Sequence, residues 1–506
     1  MSALLLTVLL GYLAYSLFLV YYWKTRQPLP AEPLNVENNL PLPWLAQTST
    51  VFSLTGLFGA YLGIAIMLGL PALLGLALGT VLGLFIVHQW IVRTLKKVKK
   101  VETEEPVFED FLIAILPDNI IDGTVFAFAI SGIQCLFATS ELLILRELGK
   151  AGLGLSSEQA TLLAIGVAIL GYFYVLLGGY VALFRTDRIQ LIVVCLTAVA
   201  VSAYLLVHHS QIGWTARSLK PRPGLWEIPF AGSTHGLYLW HVMIATVMAL
   251  GLLLSSPDTW KRIYQVSKDQ KAREHPGFTR ALTLVAVGLL PYLVLLPVAI
   301  SASAKYTFKP CCNDPHDFKG FKLPDSSYNK GIFVVFAVAL IASFLSSFNG
   351  STLASVHVAL IWARKVMKRS RRIQVEPMPE EARFYQLMMT VLVAIALSVF
   401  GGLYLSNQYE FKNPWIVGNI LMGGYALITG LLIGTAGKVS RLPPYLLSVI
   451  LLFGSIIWLR YFQSSPGYCK CPTLDSVRTV RVGVILCLTV AFVSVALTLW
   501  KRFRHD

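Results

Sequence analysis

Long apolar runs alternate with short basic clusters along the whole chain. A helix needs about 20 mostly apolar residues to cross the roughly 30 Å hydrocarbon core of a bilayer. Thirteen segments meet that requirement, near 2–22, 45–69, 71–93, 122–147, 158–179, 189–208, 236–256, 278–303, 330–362, 385–405, 414–435, 443–461 and 480–500. The pattern predicts an all-α integral membrane protein with about 13 transmembrane helices. The first run lacks both a basic leading segment and a small-residue cleavage site, and it continues straight into Trp23-Lys24-Thr25-Arg26. It therefore reads as a retained helix rather than a signal peptide.

Composition agrees with the pattern. With 56% hydrophobic and 13% charged residues in 506, the chain has more apolar surface than a soluble interior could hide, and lipid must take up the rest. No apolar-poor stretch reaches the roughly 100 residues of a separate soluble domain. The net charge of +16 is spread as clusters between apolar runs, which argues against a nucleic-acid partner and makes the clusters topology signals. If the N-terminus is outside, the inside loops hold 27 of the 42 Lys and Arg, among them Lys96-Lys97-Val98-Lys99-Lys100 and Lys368-Arg369-Ser370-Arg371-Arg372. The positive-inside bias thus predicts a multi-pass protein of the plasma (inner) membrane, N-terminus outside and C-terminus cytoplasmic.

Three motifs carry chemistry. The first is Gly178-Gly179-Tyr180-Val181-Ala182-Leu183-Phe184-Arg185-Thr186-Asp187-Arg188-Ile189-Gln190, where the glycines can end one helix and Thr186-Asp187 can cap the next. An ordinary inside turn reads the same way. The second is Asp258-Thr259-Trp260-Lys261-Arg262 with the basic stretch that follows, which suits an amphipathic loop on anionic headgroups. The third is Ser343-Phe344-Leu345-Ser346-Ser347-Phe348-Asn349-Gly350, whose hydroxyls can bind a small hard cation or simply let helices approach closely.

In this order the motifs resemble those of the sodium/solute symporter family, across residues 45–435. Lys261 stands where that family usually has glutamine. The resemblance implies an inverted-repeat core of ten helices with one helix before and two after, divided as 1–44, 45–208, 209–440 and 441–506. It also implies bound Na+. On this match Ser346 and Ser347 supply hydroxyls and Ser343 a carbonyl, with carbonyls near Ser53 and Gly56 of an unwound first core helix. Gly178, Gly179, Thr186, Asp187, Gln190 and Arg262 are its structural positions.

The solute side is less defined. Thr50, Glu141, Thr246 and Asn349 are candidate substrate contacts, although pairing with Arg146 or water is the plainer reading of Glu141. The stretches 242–254 and 282–298 are almost wholly apolar apart from Thr246 and Tyr292, which disfavours a sugar, since a sugar needs many oriented hydrogen bonds. Cys311, Cys312, Cys469 and Cys471 all fall in loops predicted outside, where disulfides persist, and are expected to crosslink those loops. Zinc held with Asp314, His316 and Asp317 is the rival. No phosphate-binding loop, zinc-protease helix or nucleophile elbow is present, so an enzyme is not expected. The sequence therefore predicts a sodium-coupled symporter moving a small, non-sugar solute by alternating access. The alternative is a transporter-shaped sensor or scaffold acting through a protein partner at its basic inside loops.

Overall fold

The computed structural model describes residues 70–99, 108–116, 155–207, 256–268 and 330–369 continuously, with individual positions inside 7–22, 120–146, 242–254 and 389–393. Among the described residues every regular element is an α-helix. These are α1 (Leu70–Lys99), α2 (Phe108–Ile115), α3 (Ser157–Val207), α4 (Pro257–Lys268) and α5 (Lys330–Arg369). Thr50, Ser53, Gly56 and the four loop cysteines lie outside the described residues, as do Asp314, His316 and Asp317.

Local chemistry explains where the helices start. α1 begins with Pro71 in its first turn, where a missing amide proton costs nothing. α3 opens with a reciprocal cap: Gln159 N donates to Ser156 Oγ at 3.2 Å while Ser156 N donates to Gln159 Oε1 at 3.1 Å. α4 starts at Pro257 behind Ser256, whose hydroxyl accepts the Thr259 amide at 3.4 Å.

Among the described residues, two apolar stretches, Leu73–Thr94 and Phe344–Val366, are long enough to span a bilayer. α1 shows how such a helix divides its faces. Leu74, Leu78, Leu82 and Phe85 recur on one exposed stripe. Gly75, Gly79 and Gly83, at every fourth position, meet the helical residues of 242–254 instead. A Cβ at Gly75 would strike the Val242 carbonyl, one at Gly79 the Thr246 carbonyl, and one at Gly83 the Leu253 side chain. Backbone therefore touches backbone, the mode by which membrane helices associate without a hydrophobic driving force.

The sequence predicts separate helices over 158–179 and 189–208; α3 instead keeps helical hydrogen bonding through all 51 residues. Thr186 does not cap a second helix, because its hydroxyl donates back to the Leu183 carbonyl at 3.1 Å. Yet α3 is not straight. Gly171 lies against Leu345 and Asn349, and Asp187 bonds Ser346. Sixteen residues of straight helix would part these two contacts by about 24 Å, too far to reach neighbouring residues of α5. The helix bends between them, and Gly178-Gly179 sit at the midpoint, where a glycine pair is a known cause of kinking.

The largest apolar cluster gathers at one end of this arrangement. Phe108, Phe111, Leu112 and Ile115 present one face of α2 to Leu84, Val87 and Ile91 of α1, to Trp260 and Ile263 of α4, and to Val358 and Ile361 of α5. Trp90 stands edge-on to Phe111 and Trp260, with ring centroids 5.1 Å and 5.3 Å away.

Candidate functional site

The three sequence motifs, distant along the chain, meet at one buried point. α3 brings Asp187, α4 brings Asp258 and Arg262, and α5 brings Ser346. Arg262 Nη1 donates to Asp187 Oδ2 at 2.6 Å, and Arg262 Nε donates to Asp258 Oδ2 at 2.8 Å. Ser346 Oγ donates to the other Asp187 oxygen at 2.8 Å. Asp187 is 1% exposed and Arg262 fully buried, while Asp258 keeps 14%.

Position in each helix explains the convergence. Asp258 and Arg262 are one turn apart on α4, so a single guanidinium can span its own helix and α3. Asp258 also needs room on α5. Gly350 provides it, since a Cβ there would sit 2.7 Å from Asp258 Oδ2. Two carboxylates facing one guanidinium leave the group with an excess of one negative charge.

Chemically, this is a polarised set of oxygens. A hydroxyl whose hydrogen is directed at a carboxylate turns its lone pairs the other way, where they can accept a cation or a donor. Ser346 is so arranged, Ser347 is buried beside it, and with Asp187 they are the described oxygens best placed for a cation. The Ser343 carbonyl belongs to an uninterrupted stretch of α5, so the amide four residues on already uses one of its two lone pairs. Among the described residues no group of three or more His, Cys, Asp or Glu side chains could hold a metal ion.

The other predicted positions fall as follows. Asn349 is buried on α5 with its amide oxygen against Gly171, and that oxygen has no hydrogen-bond partner among the described residues. Gln190 is buried on α3, one turn beyond Thr186, and its side-chain oxygen is likewise unpaired. Thr246 spends its hydroxyl on the Val242 carbonyl of its own helix at 2.7 Å. Glu141 is fully buried on the face that carries Gln134, Ala138 and Leu145, while Arg146 donates to Ser157 at 2.8 Å.

Sequence reasoning read Asp187 and Arg262 as parts of separate motifs and missed their bond. The Asp258–Arg262 spacing was the available signal. It also missed a second charged group, in which Glu109 of α2 accepts Arg364 Nη1 of α5 at 2.8 Å. His357 on α5 is 1% exposed, with its ring 5.6 Å from that of Phe108 and Nε2 3.8 Å from Glu109.

No family model matches the chain, and no curated protein matches it in sequence. Among solved structures, the chain is similar to a Na+-coupled sialic acid symporter in a substrate-bound, outward-open state. The match has a TM-score of 0.62 at 17% identity and covers 97% of both chains. A manganese transporter of Eremococcus coleocola aligns with a TM-score of 0.45 at 14% identity, over 91% of this chain and 92% of the other. The first match shows the fold, which is that of a multi-pass membrane transporter.

Proposed function

We propose that the protein is a sodium-coupled symporter, and that its ion is held at the seam where α5 meets the bend of α3. The observation that carries this reading is the Ser346 hydroxyl fixed on the Asp187 carboxylate, with Ser347 buried alongside in a chain of transporter fold. Sodium must exchange its water for other oxygens, and neutral hydroxyls beside a partly compensated carboxylate offer them without trapping the ion. Carbonyls of 45–69, near Ser53 and Gly56, would complete the shell.

The similar symporter carries sialic acid, a solute rich in hydroxyls. Here the described positions of 242–254 offer only Thr246, and its hydroxyl is already bonded. A smaller or more apolar solute fits better, moved inward by alternating access in an N-terminus-out protein with an inverted-repeat core. Ion and solute would favour the same state by mutual linkage.

Thermal unfolding in sodium chloride against choline chloride tests the ion site without knowing the solute. Sodium at 100 times its dissociation constant should stabilise the protein by about 2.7 kcal/mol. Combined Ser346→Ala and Ser347→Ala should remove that gain. A melting temperature indifferent to sodium rejects the proposal.

A further inference from the structure

A second set of buried charges closes the junction of α2, α4 and α5. Lys261 is 2% exposed, and its ammonium lies 5.5 Å from the centroid of the Phe108 ring. The groups acting on it are Glu109 from α2, His357 from α5 and Asp258 on α4 itself, with Arg364 of α5 behind Glu109 and the Arg262–Asp187 bond next along. Glu109 holds Arg364 at 2.8 Å and stands 3.8 Å from His357. Three carboxylates (Asp187, Asp258, Glu109) and three basic side chains (Arg262, Arg364, Lys261) thus lie along the junction. Two of the three basic groups are guanidiniums, which do not lose their proton in proteins. Lysine can, and it shifts readily when buried.

We propose that Lys261 is a proton-binding site, and that taking up a proton from water loosens α4 from α2 and α5. The reaction is simple: the neutral amine accepts a proton at Nζ and becomes an ammonium in the same apolar setting. Burial pushes the Lys261 ammonium down to about 7, with Glu109 and Asp258 pulling the other way. Burial also draws the Glu109 carboxyl upward, but His357, Arg364 and Lys261 outweigh it and hold it below its ordinary range, so the carboxylate is present to receive the charge.

The sign follows from linkage. Separation of the helices returns Lys261 to water, where its ordinary value of 10.5 applies, so the separated state binds the proton more tightly. Falling pH therefore favours separation, by up to tenfold per pH unit above about 7, and the effect levels off below that. This inference stands on the packing of α2, α4 and α5 and needs no sodium.

Trp260 precedes Lys261 and packs on the Trp90 and Phe111 rings, so its emission reports on the junction. The full chain in lipid nanodiscs, free of sodium, should show a fluorescence transition that develops as pH falls below the ordinary 10.5 and is complete near 7. Lys261→Gln should abolish it. Glu109→Gln should move the midpoint to lower pH, because it removes an anion that favours the ammonium. A flat wild-type titration, or a transition that survives in Lys261→Gln, overturns the proposal. Should that variant not fold, an unmoved midpoint in Glu109→Gln overturns it equally.

Discussion

Replacing Arg262 with methionine removes a side chain that bonds both Asp187 and Asp258 while keeping most of the apolar stem. Asp187 is 1% exposed and among the described residues keeps the Ser346 hydroxyl, whereas Asp258, at 14%, still reaches water. The cost falls mainly on Asp187, and breaking one partner of a buried pair costs about 3–5 kcal/mol. For a chain of 506 residues unfolding as one unit, the entropy of unfolding converts this to a fall of about 1 °C in melting temperature per kcal/mol. Arg262→Met should therefore melt about 3–5 °C lower in sodium-free buffer, by scanning at one fixed rate. Asp187→Asn added to Arg262→Met should recover most of the loss, since no uncompensated charge then remains. A single variant within about 0.5 kcal/mol of wild type, or a double variant no better than the single, would refute a working charge pair at this position.

Two further outcomes test the packing. Gly79→Val should cut the yield of folded protein sharply because its Cβ meets the Thr246 carbonyl, whereas Gly166→Ala, with open space around it, should be neutral or up to about 1 kcal/mol stabilising; expression with size-exclusion profiles separates them. The Ser355 hydroxyl has one proton for the Ser351 carbonyl at 3.0 Å and the Ser131 carbonyl at 3.2 Å, while its own carbonyl accepts Ser131 Oγ at 3.1 Å, so Ser131→Ala should cost about 1 kcal/mol, read by the same melting assay, and no change would remove that tie from the fold.

What was legible in the sequence follows the kind of signal each feature leaves. The serine pair at Ser346-Ser347 and the acid at Asp187 stand out because polar groups in an apolar setting are few. Their bond was not legible, since 159 residues separate them and no periodicity reports a contact at that range. The continuity of α3 was hidden for a different reason. Glycines weaken a helix by only about 1 kcal/mol each, so Gly178-Gly179 bend it without ending it, though they read as a terminus. The glycine stripe at positions 75, 79 and 83 was in plain view, but each of its glycines also fits an ordinary apolar run until a partner helix is known. The predicted first-helix carbonyls near Ser53 and Gly56, and the expected crosslinks, fall outside the described residues.

The glycine stripe of α1 has a mechanical result. Where two backbones touch, no side chain intervenes that could change rotamer and let one helix slide past the other. α1 and the helix through 242–254 must travel as a single piece, carrying α4 at its end. α3 and α5, paired along their own seam, make another. Among the described residues these two pieces are tied by the Arg262–Asp187 bond and by the apolar cluster that α1, α2, α4 and α5 share, so any movement of one against the other must work on both.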